Sequence, residues 1–322
     1  MSYDRRGSKA VPLGGATKWA AVALLAAGAA CFPASAAAQQ PGQKTFSSAS
    51  EASSALVAAV QKDDEAALRD ILGADGKDII SSGDTVSDKN DRDQFVQKYQ
   101  QMHRLVIEAD GKTTLFIGAE NWPTPIPLVH KASVWYFDTA AGKQEILYRR
   151  IGQNELAVIQ VCLELVDAQK EYYSQPHDGD SVKQYAQKFF SDPNKHNGLY
   201  WIQAAGSPES PIGPLVAAAA AEGYTRDAQH QETQPFHGYY FRVLTAQGAN
   251  APGGARSYIV DGKMTRGFAL LAYPAEYRSS GVKTFLVNQD GIVYEKDLGP
   301  RSAEIAKALM QYNRDATWHK SD

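Results

Sequence analysis

The chain has 322 residues, 43% of them hydrophobic and 21% charged, a balance that admits two globular domains and excludes collagen-like, wholly disordered and polytopic membrane proteins. Its formal charge is −3, and because the first 38 residues hold Arg5, Arg6, Lys9 and Lys18 against Asp4 alone, losing them removes +3 and leaves −6. A mildly acidic protein exerts no general electrostatic pull on DNA, RNA or anionic lipid.

Those first residues read as an address. The basic stretch precedes an apolar run at 19–31, and small residues follow at Ala36 and Ala38. This is the order of a secretory signal peptide, with cleavage expected after Ala38. The run is about 13 residues long, where a membrane-spanning helix needs roughly 20. Arg5-Arg6 lacks the apolar residues that follow a twin-arginine signal, and Gly28 stands where a lipidated Cys31 would need a bulky aliphatic residue. The mature chain is thus expected in the periplasm or medium, beginning at Gln39. It then keeps one cysteine, Cys162 in the apolar stretch 158–166, which reads as an inert buried thiol and leaves no intramolecular disulfide.

Residues 39–49, rich in Gln, Ser, Gly and Pro, suggest a flexible leader. Amphipathic patterns predict helices over 50–60, 63–72 and 91–102, the last opened by Asp91 with Gln94 in capping-box position. The period then changes to two: 104–109, 113–118, 132–138 and 144–150 predict a four-stranded antiparallel meander. Its prolines at 123, 125 and 127 make 122–127 an extended loop. The segment 154–173 is the clearest helix, with Leu156, Ile159, Leu163, Val166 and Tyr173 on one face and Val158, Val161, Cys162 and Leu165 covering much of the rest. Apolar on several sides, it is expected as a buried spine between two halves. Further helices are expected at 181–190 and 210–222, strands at 239–246, 255–260, 267–273, 282–287 and 292–298 with a turn at Asp290-Gly291, and a closing helix at 302–312. The whole predicts an α+β protein: an N-terminal domain of helices and a curved antiparallel sheet at 50–152, and a C-terminal α+β domain at 153–322 carrying the spine and a second antiparallel sheet.

Three strings, NELAVIQVCLELVDAQKEYY at 154–173, YAQKFFSDPNKHNGLYW at 185–201, and the blocks from GYYFRVL to VKTFLVNQDGIVYEKDLGP at 238–300, resemble a family of exported bacterial proteins defined as a domain of unknown function, number 2950. The resemblance implies an exported two-part protein and supplies no mechanism. Within it, a helix ending in A-Q-x-x-Y before strands ending in T-F-x-V-x-x-D-G-x-V-Y is similar to the globular part of type II secretion pseudopilins. Here, however, the helix is internal and has a domain before it.

Local motifs for chemistry are missing: the sequence holds no H-E-x-x-H, paired C-x-x-C, G-x-S-x-G, phosphate-loop or dinucleotide-binding signature. Gly111-Lys112-Thr113 lacks the leading glycine of a phosphate loop and reads as a hairpin turn. Ser280-Gly281-Val282-Lys283 matches S-x-x-K, yet it enters a strand, where serine and lysine cannot stand one helical turn apart. His230 and His237 flank Glu232 without the fixed spacing a metal site needs. Glu164, Asp167 and Glu171 share a helix face, best read as solvated and ion-paired with Lys170. Neither a cofactor nor a metal is implied.

Aromatic residues beside turns stand out. His196 precedes Tyr200 and Trp201, and His237 precedes Tyr239 and Tyr240, each after an intervening glycine. The loop 248–254 leads to Arg256. These residues could line a shallow cleft for a small glycan or peptide, or the rings could pack the sheet onto the spine, as one face of a strand must. The sequence therefore points to a non-catalytic exported binding or envelope-assembly accessory protein with envelope partners. An envelope hydrolase with a nonlocal site and a structural subunit built on the pseudopilin-like half are the alternatives.

Overall fold

The computed structural model describes residues 39–203, 208–225 and 234–321. The predicted signal peptide, Cys31, His230 and Glu232 lie outside them. The fold is α+β, and the elements run α1 (Ala49–Gln61), α2 (Glu65–Leu72), α3 (Lys77–Ile80), α4 (Thr85–Gln101), β1 (His103–Ile107), β2 (Thr113–Ile117), β3 (Trp122–Pro123), β4 (Leu128–Lys131), β5 (Val134–Phe137) and α5 (Thr139–Tyr173). After α6 (Gly213–Ala221) come β6 (Tyr239–Leu244), β7 (Ala246–Gln247), β8 (Arg256–Ser257), β9 (Ile259–Val260), β10 (Lys263–Met264), β11 (Ala269–Pro274), β12 (Lys283–Asn288), β13 (Tyr294–Asp297), α7 (Ser302–Ala308) and β14 (His319–Lys320).

Two clusters of buried apolar side chains form. The first gathers Phe46, Ala52, Leu68, Ile71, Ile80, Leu128 and Phe137 beneath an antiparallel sheet ordered β1-β2-β4-β5, with β3 paired to β2. The stretch expected as a flexible leader belongs to it. Buried Gln43 donates its side-chain amide to the carbonyls of Ile71 and Phe137, and Phe46 exchanges backbone bonds with Trp135. The second cluster packs Val158, Val161, Cys162, Leu165 and Val166 against an antiparallel sheet ordered β14-β13-β12-β11-β6.

Several sequence expectations change here for definable reasons. The segment 144–150 is helix, not strand. Asp138 caps at the expected turn, its carboxylate accepting from the Ala141 amide, so α5 starts at Thr139 and runs unbroken for 35 residues across the expected domain boundary. Gln144, Glu145, Leu147 and Arg149 are good helix formers, and Glu145 pairs with Arg149 one turn on. The meander is completed instead by β4, which lies between β2 and β5, and Trp122-Pro123 pairs at the sheet edge with Ile117 and Phe116, the position in which a missing proline donor costs no ladder bond. The segment 181–190 is not helical. Its backbone bonds go sideways: Tyr185 to Met264, Ala186 to the Gln169 side chain in both directions, and Ser191 to Tyr200. Helix α4 starts a turn and a half before Asp91, capped by Asp84, and α7 stops at Ala308, where Arg242 donates to the carbonyls of Ala306, Lys307 and Leu309.

The spine is turned relative to its expected face. Leu156 is 68% exposed and Leu163 37%, while Ile151, Asn154, Val158, Val161, Leu165, Ala168 and Tyr172 point inward, a strict alternation of three and four. Polar Asn154 and Gln169 hide that stripe from a hydropathy reading. Both are satisfied inside, Asn154 donating to the Ser280 carbonyl and Gln169 clamping Ala186. Leu163→Asp, at a site 37% exposed, is accordingly expected to cost only about 1–2 kcal/mol, against the several-kcal/mol loss that full enclosure of its apolar side chain would give. Leu165→Asp, at a site 3% exposed, should cost about 3–5 kcal/mol or abolish folding. Paired thermal melts check the rotation, and equal losses would refute it.

Candidate functional site

Between the two cores the loop after α3 meets the turn before β6. Phe236 and Tyr239 exchange backbone bonds of 2.8 and 3.1 Å, so His237 and Gly238 form a two-residue hairpin turn with φ of 50° and 74°. Positive φ at both positions is what a type I′ turn requires. Glycine suits the second because a Cβ there would lie 2.6 Å from Asn154 Nδ2. Histidine at the first is uncommon for a side-chain-bearing residue, and its ring is held by Phe236 at 4.1 Å and Tyr224 at 6.3 Å.

Asp84 ties this turn to the N-terminal helices. Its Oδ1 accepts from the Ser87 amide at 3.1 Å and caps α4, while Oδ2 accepts from Tyr224 Oη and from the Gly238 amide, both at 2.8 Å. The His237 amide in turn donates to Tyr224 Oη at 3.3 Å. Around the latch, Arg150 donates to the carbonyls of Asp78 and Ile79, Arg92 to that of Ile80, and Ser279 Oγ to that of Asp78. The exposed carbonyl end of short α3 is thus covered by cations.

The electrostatics follow from crowding. Burial pushes the Asp88 carboxyl above the usual carboxylate range, against the hydrogen bonds it accepts from the Ser82 amide. Tyr224 is held protonated by burial and by Asp84. Burial lowers the His237 pKa despite Glu222, Asp84 and Glu164 favouring its cation. An unfolded histidine near 6.5 therefore binds a proton that the native imidazole resists, and stability is lost as pH falls through that value. His237→Asn, which tolerates the left-handed backbone, should flatten the decline in melting temperature between pH 7.5 and 5. An unchanged slope would assign the decline to other groups.

The seven residues singled out in the sequence fall in three neighbourhoods. His196 sits on Asp178, whose carboxylate accepts the His196 amide at 2.9 Å and lies 3.2 Å from Nδ1. Trp201 packs edge-on to that ring at 4.7 Å and donates from Nε1 to the Pro208 carbonyl, 6% exposed. Tyr200 faces the other way, half-buried, edge-on to Phe190 at 5.8 Å. His237 is at the latch. Next to it Tyr239 is wholly buried, donating to the Lys283 carbonyl, whereas Tyr240 is half-buried across the strand from Tyr273. Arg256 stands exposed on β8 beside Gly253 and Tyr258. Trp201 and Tyr239 therefore pack instead of presenting stacking faces, and one cleft holding all seven is not formed.

Sequence reading passed over Asp84, Tyr224, Asp178 and Glu155. Glu155 Oε1 accepts the consecutive amides of Val282 and Lys283 at 2.9 Å, fixing β12 to α5. Only Asp84 carried a local signal, an acidic residue three before Ser87 at a helix start. The S-x-x-K serine is fully buried on the Glu276 backbone, and Lys283 pairs with Glu295. Burial pushes the Cys162 thiol up to about 12, out of the range of a reactive thiolate. Among the described residues no group of three histidine, cysteine or acidic side chains is placed to hold a metal ion, and no helix is long and apolar enough to cross a membrane.

A family model described as a protein of unknown function (DUF2950) matches residues 43–321. No curated protein and no solved structure matches the chain.

Proposed function

From the premise that the chain belongs to this family of unknown function, whose model takes in both cores, we propose that it is an exported protein that acts by binding rather than by catalysis. The ligand class is a small glycan or peptide of the bacterial envelope. The observation that carries the reading is the surface around Tyr200. Backbone alternation sends Trp201 inward, against the His196 ring, and leaves Tyr200 and Ile202 outward, with Tyr200 edge-on to Phe190, which is 36% exposed. Partly exposed aromatic rings beside an exposed aliphatic side chain suit packing on a sugar ring or a peptide side chain. The polar groups elsewhere that would serve as base or nucleophile are occupied: Asp84 by three donors, Ser280 by the Glu276 backbone.

Titration calorimetry with soluble peptidoglycan fragments and short peptides tests this. Tyr200→Ala should weaken binding by about 1–3 kcal/mol with little change in melting temperature. Binding indifferent to Tyr200, or turnover of peptidoglycan, ester or phosphate substrates by the purified protein, would overturn it. Export is tested separately: the protein in the envelope fraction should begin at Gln39, and one that retains Met1 would refute cleavage.

A further inference from the structure

Strand β1 is an open edge of the N-terminal sheet. Its bonds to β2 run through even-numbered residues: the Gly118 amide donates to the Met102 carbonyl at 2.9 Å and the Glu108 amide to the Lys112 carbonyl at 2.8 Å, with unbroken register between them. Alternate residues of an antiparallel ladder turn their N–H and C=O groups to opposite sides. Leu105 and Ile107 therefore aim theirs away from β2, where no described residue pairs with them. The other end of the sheet is closed, because Phe46 exchanges backbone bonds with Trp135 of β5. Natural sheets blunt an open edge with lysine, proline or a bulge. Residues 103–108 read His-Arg-Leu-Val-Ile-Glu and carry none of these, and the Ile107 side chain is 75% exposed.

The two charges on this edge lack opposite partners within the chain. Arg104 lies over the Phe116 ring at 4.6 Å and donates through Nε to Asn121 Oδ1, a neutral acceptor. Glu108 has no ion pair among the described residues, and Lys112 across the hairpin is turned to Asp138. Arg104, Val106 and Glu108 share the outer face of the sheet, opposite the one on which Leu115 and Ile117 are buried. There Glu108 lines a shallow hollow of about 530 Å³ with Thr114 and Pro125.

These positions select the occupant. Any extended peptide could use the free backbone groups, but a copy of β1 laid antiparallel also matches the charges. With Val106 opposite the partner's Val106, Leu105 meets the partner's Ile107 through their free backbone groups, and Arg104 meets the partner's Glu108, each twice by symmetry. Slipping the register by two residues keeps the backbone bonds and loses both ion pairs. We propose that β1 adds antiparallel to β1 of a second copy of this chain about a two-fold axis at Val106, joining two N-terminal sheets into one. Arg104 swings from Phe116 to the partner's Glu108, giving up a contact worth little at an exposed site. An edge of this length makes a contact below about 1,200 Å² in total, so the dimer dissociates reversibly on dilution. Tyr200 packs on the second core, and the pairing does not rest on what binds there.

Sedimentation velocity over a dilution series of the purified protein tests the pairing, with hydrogen exchange as a second readout. A monomer–dimer equilibrium is expected, in which the Leu105 and Ile107 amides gain protection as concentration rises. Ile107→Pro removes an N–H that β2 does not use and should give a monomer with a melting temperature close to wild type. Ile107→Lys should do the same without touching the backbone, which covers a proline variant that folds poorly. Arg104→Glu and Glu108→Arg should each raise the dissociation constant about fivefold or more, and the two together should restore it to within about twofold of wild type. A protein monomeric up to about 100 μM, a dimer that survives Ile107→Lys, or an edge that takes up peptides while the protein stays monomeric overturns the proposal. Failure of the double charge swap to restore pairing overturns the register centred on Val106.

Discussion

Trp201→Ala should lower the stability of the protein by about 3–5 kcal/mol, a fall in melting temperature of roughly 10 °C for a chain of this size. The indole is buried, His177 and His196 lie against it with ring centroids 5.8 and 4.7 Å away, and its N–H is spent on the Pro208 carbonyl. Truncation empties a cavity walled partly by polar rings and leaves that carbonyl without its donor. Trp201→Phe keeps most of the volume and should cost about 1–2 kcal/mol, the hydrogen bond alone accounting for about 1. Thermal melts of the two variants beside Tyr200→Ala give a direct comparison of adjacent residues. A Trp201→Ala protein that melts like wild type would mean that the ring faces solvent and that the packing described here is wrong.

Asp84→Ala is the second large effect. The carboxylate is 1% exposed and accepts from Ser87, Tyr224 and Gly238. Removing it uncaps α4 and strands two buried donors. At about 1–2 kcal/mol for the cap and about 1–3 for each donor left unpaired, a loss of roughly 3–8 kcal/mol is expected. Asp84→Asn should lie between, because one amide oxygen can still accept while its NH₂ faces a donor. Hydrogen exchange locates the damage: the Gly238 amide should lose protection far more than the amides of β11 and β12. Uniform loss across the protein would show that Asp84 supports the fold generally and does not specifically latch the turn.

How much of this the sequence disclosed depends on the range of the interactions. Elements set by neighbours in the chain were legible: the helices α1 and α2, though not their caps Ser48 and Asp64, the β12–β13 hairpin at Asp290-Gly291, and α6 with Pro214 near its start. The buried, inert character of Cys162 was legible too, because apolar residues surround it in sequence. Hydropathy failed where a polar side chain does a backbone's work. Gln169 holds Ala186 through its donor and its acceptor, so 181–190 folds without internal helical bonds and α5 buries a face that contains Asn154 and Gln169. The helical 144–150 was lost to the chance alternation of Ile146 and Tyr148. The latch was invisible because Asp84, Tyr224 and Gly238 meet only through tertiary structure. His196 and His237 were drawn together by similar local strings, yet each follows a different partner, Asp178 in one case and the Asp84 latch in the other.

The bond from Gly238 to Asp84 closes a loop of 154 residues. Bringing such distant points together costs on the order of 4.5 kcal/mol in chain entropy beyond a constant, so it is a poor nucleus. The first core needs only contacts within residues 43–146, and its helices and meander can assemble while the rest of the chain is still unfolded. Until residues 224 and 238 arrive, however, Asp84 can cap α4 but its second oxygen lacks both the donors it has in the fold. Chain entropy therefore predicts an order of assembly, with the N-terminal core first, α5 extending from it, the C-terminal sheet condensing on that helix, and the latch last. A contact made after the rate-limiting step holds the folded state by slowing its escape. Loss of Asp84 should therefore accelerate unfolding while leaving the refolding rate nearly unchanged.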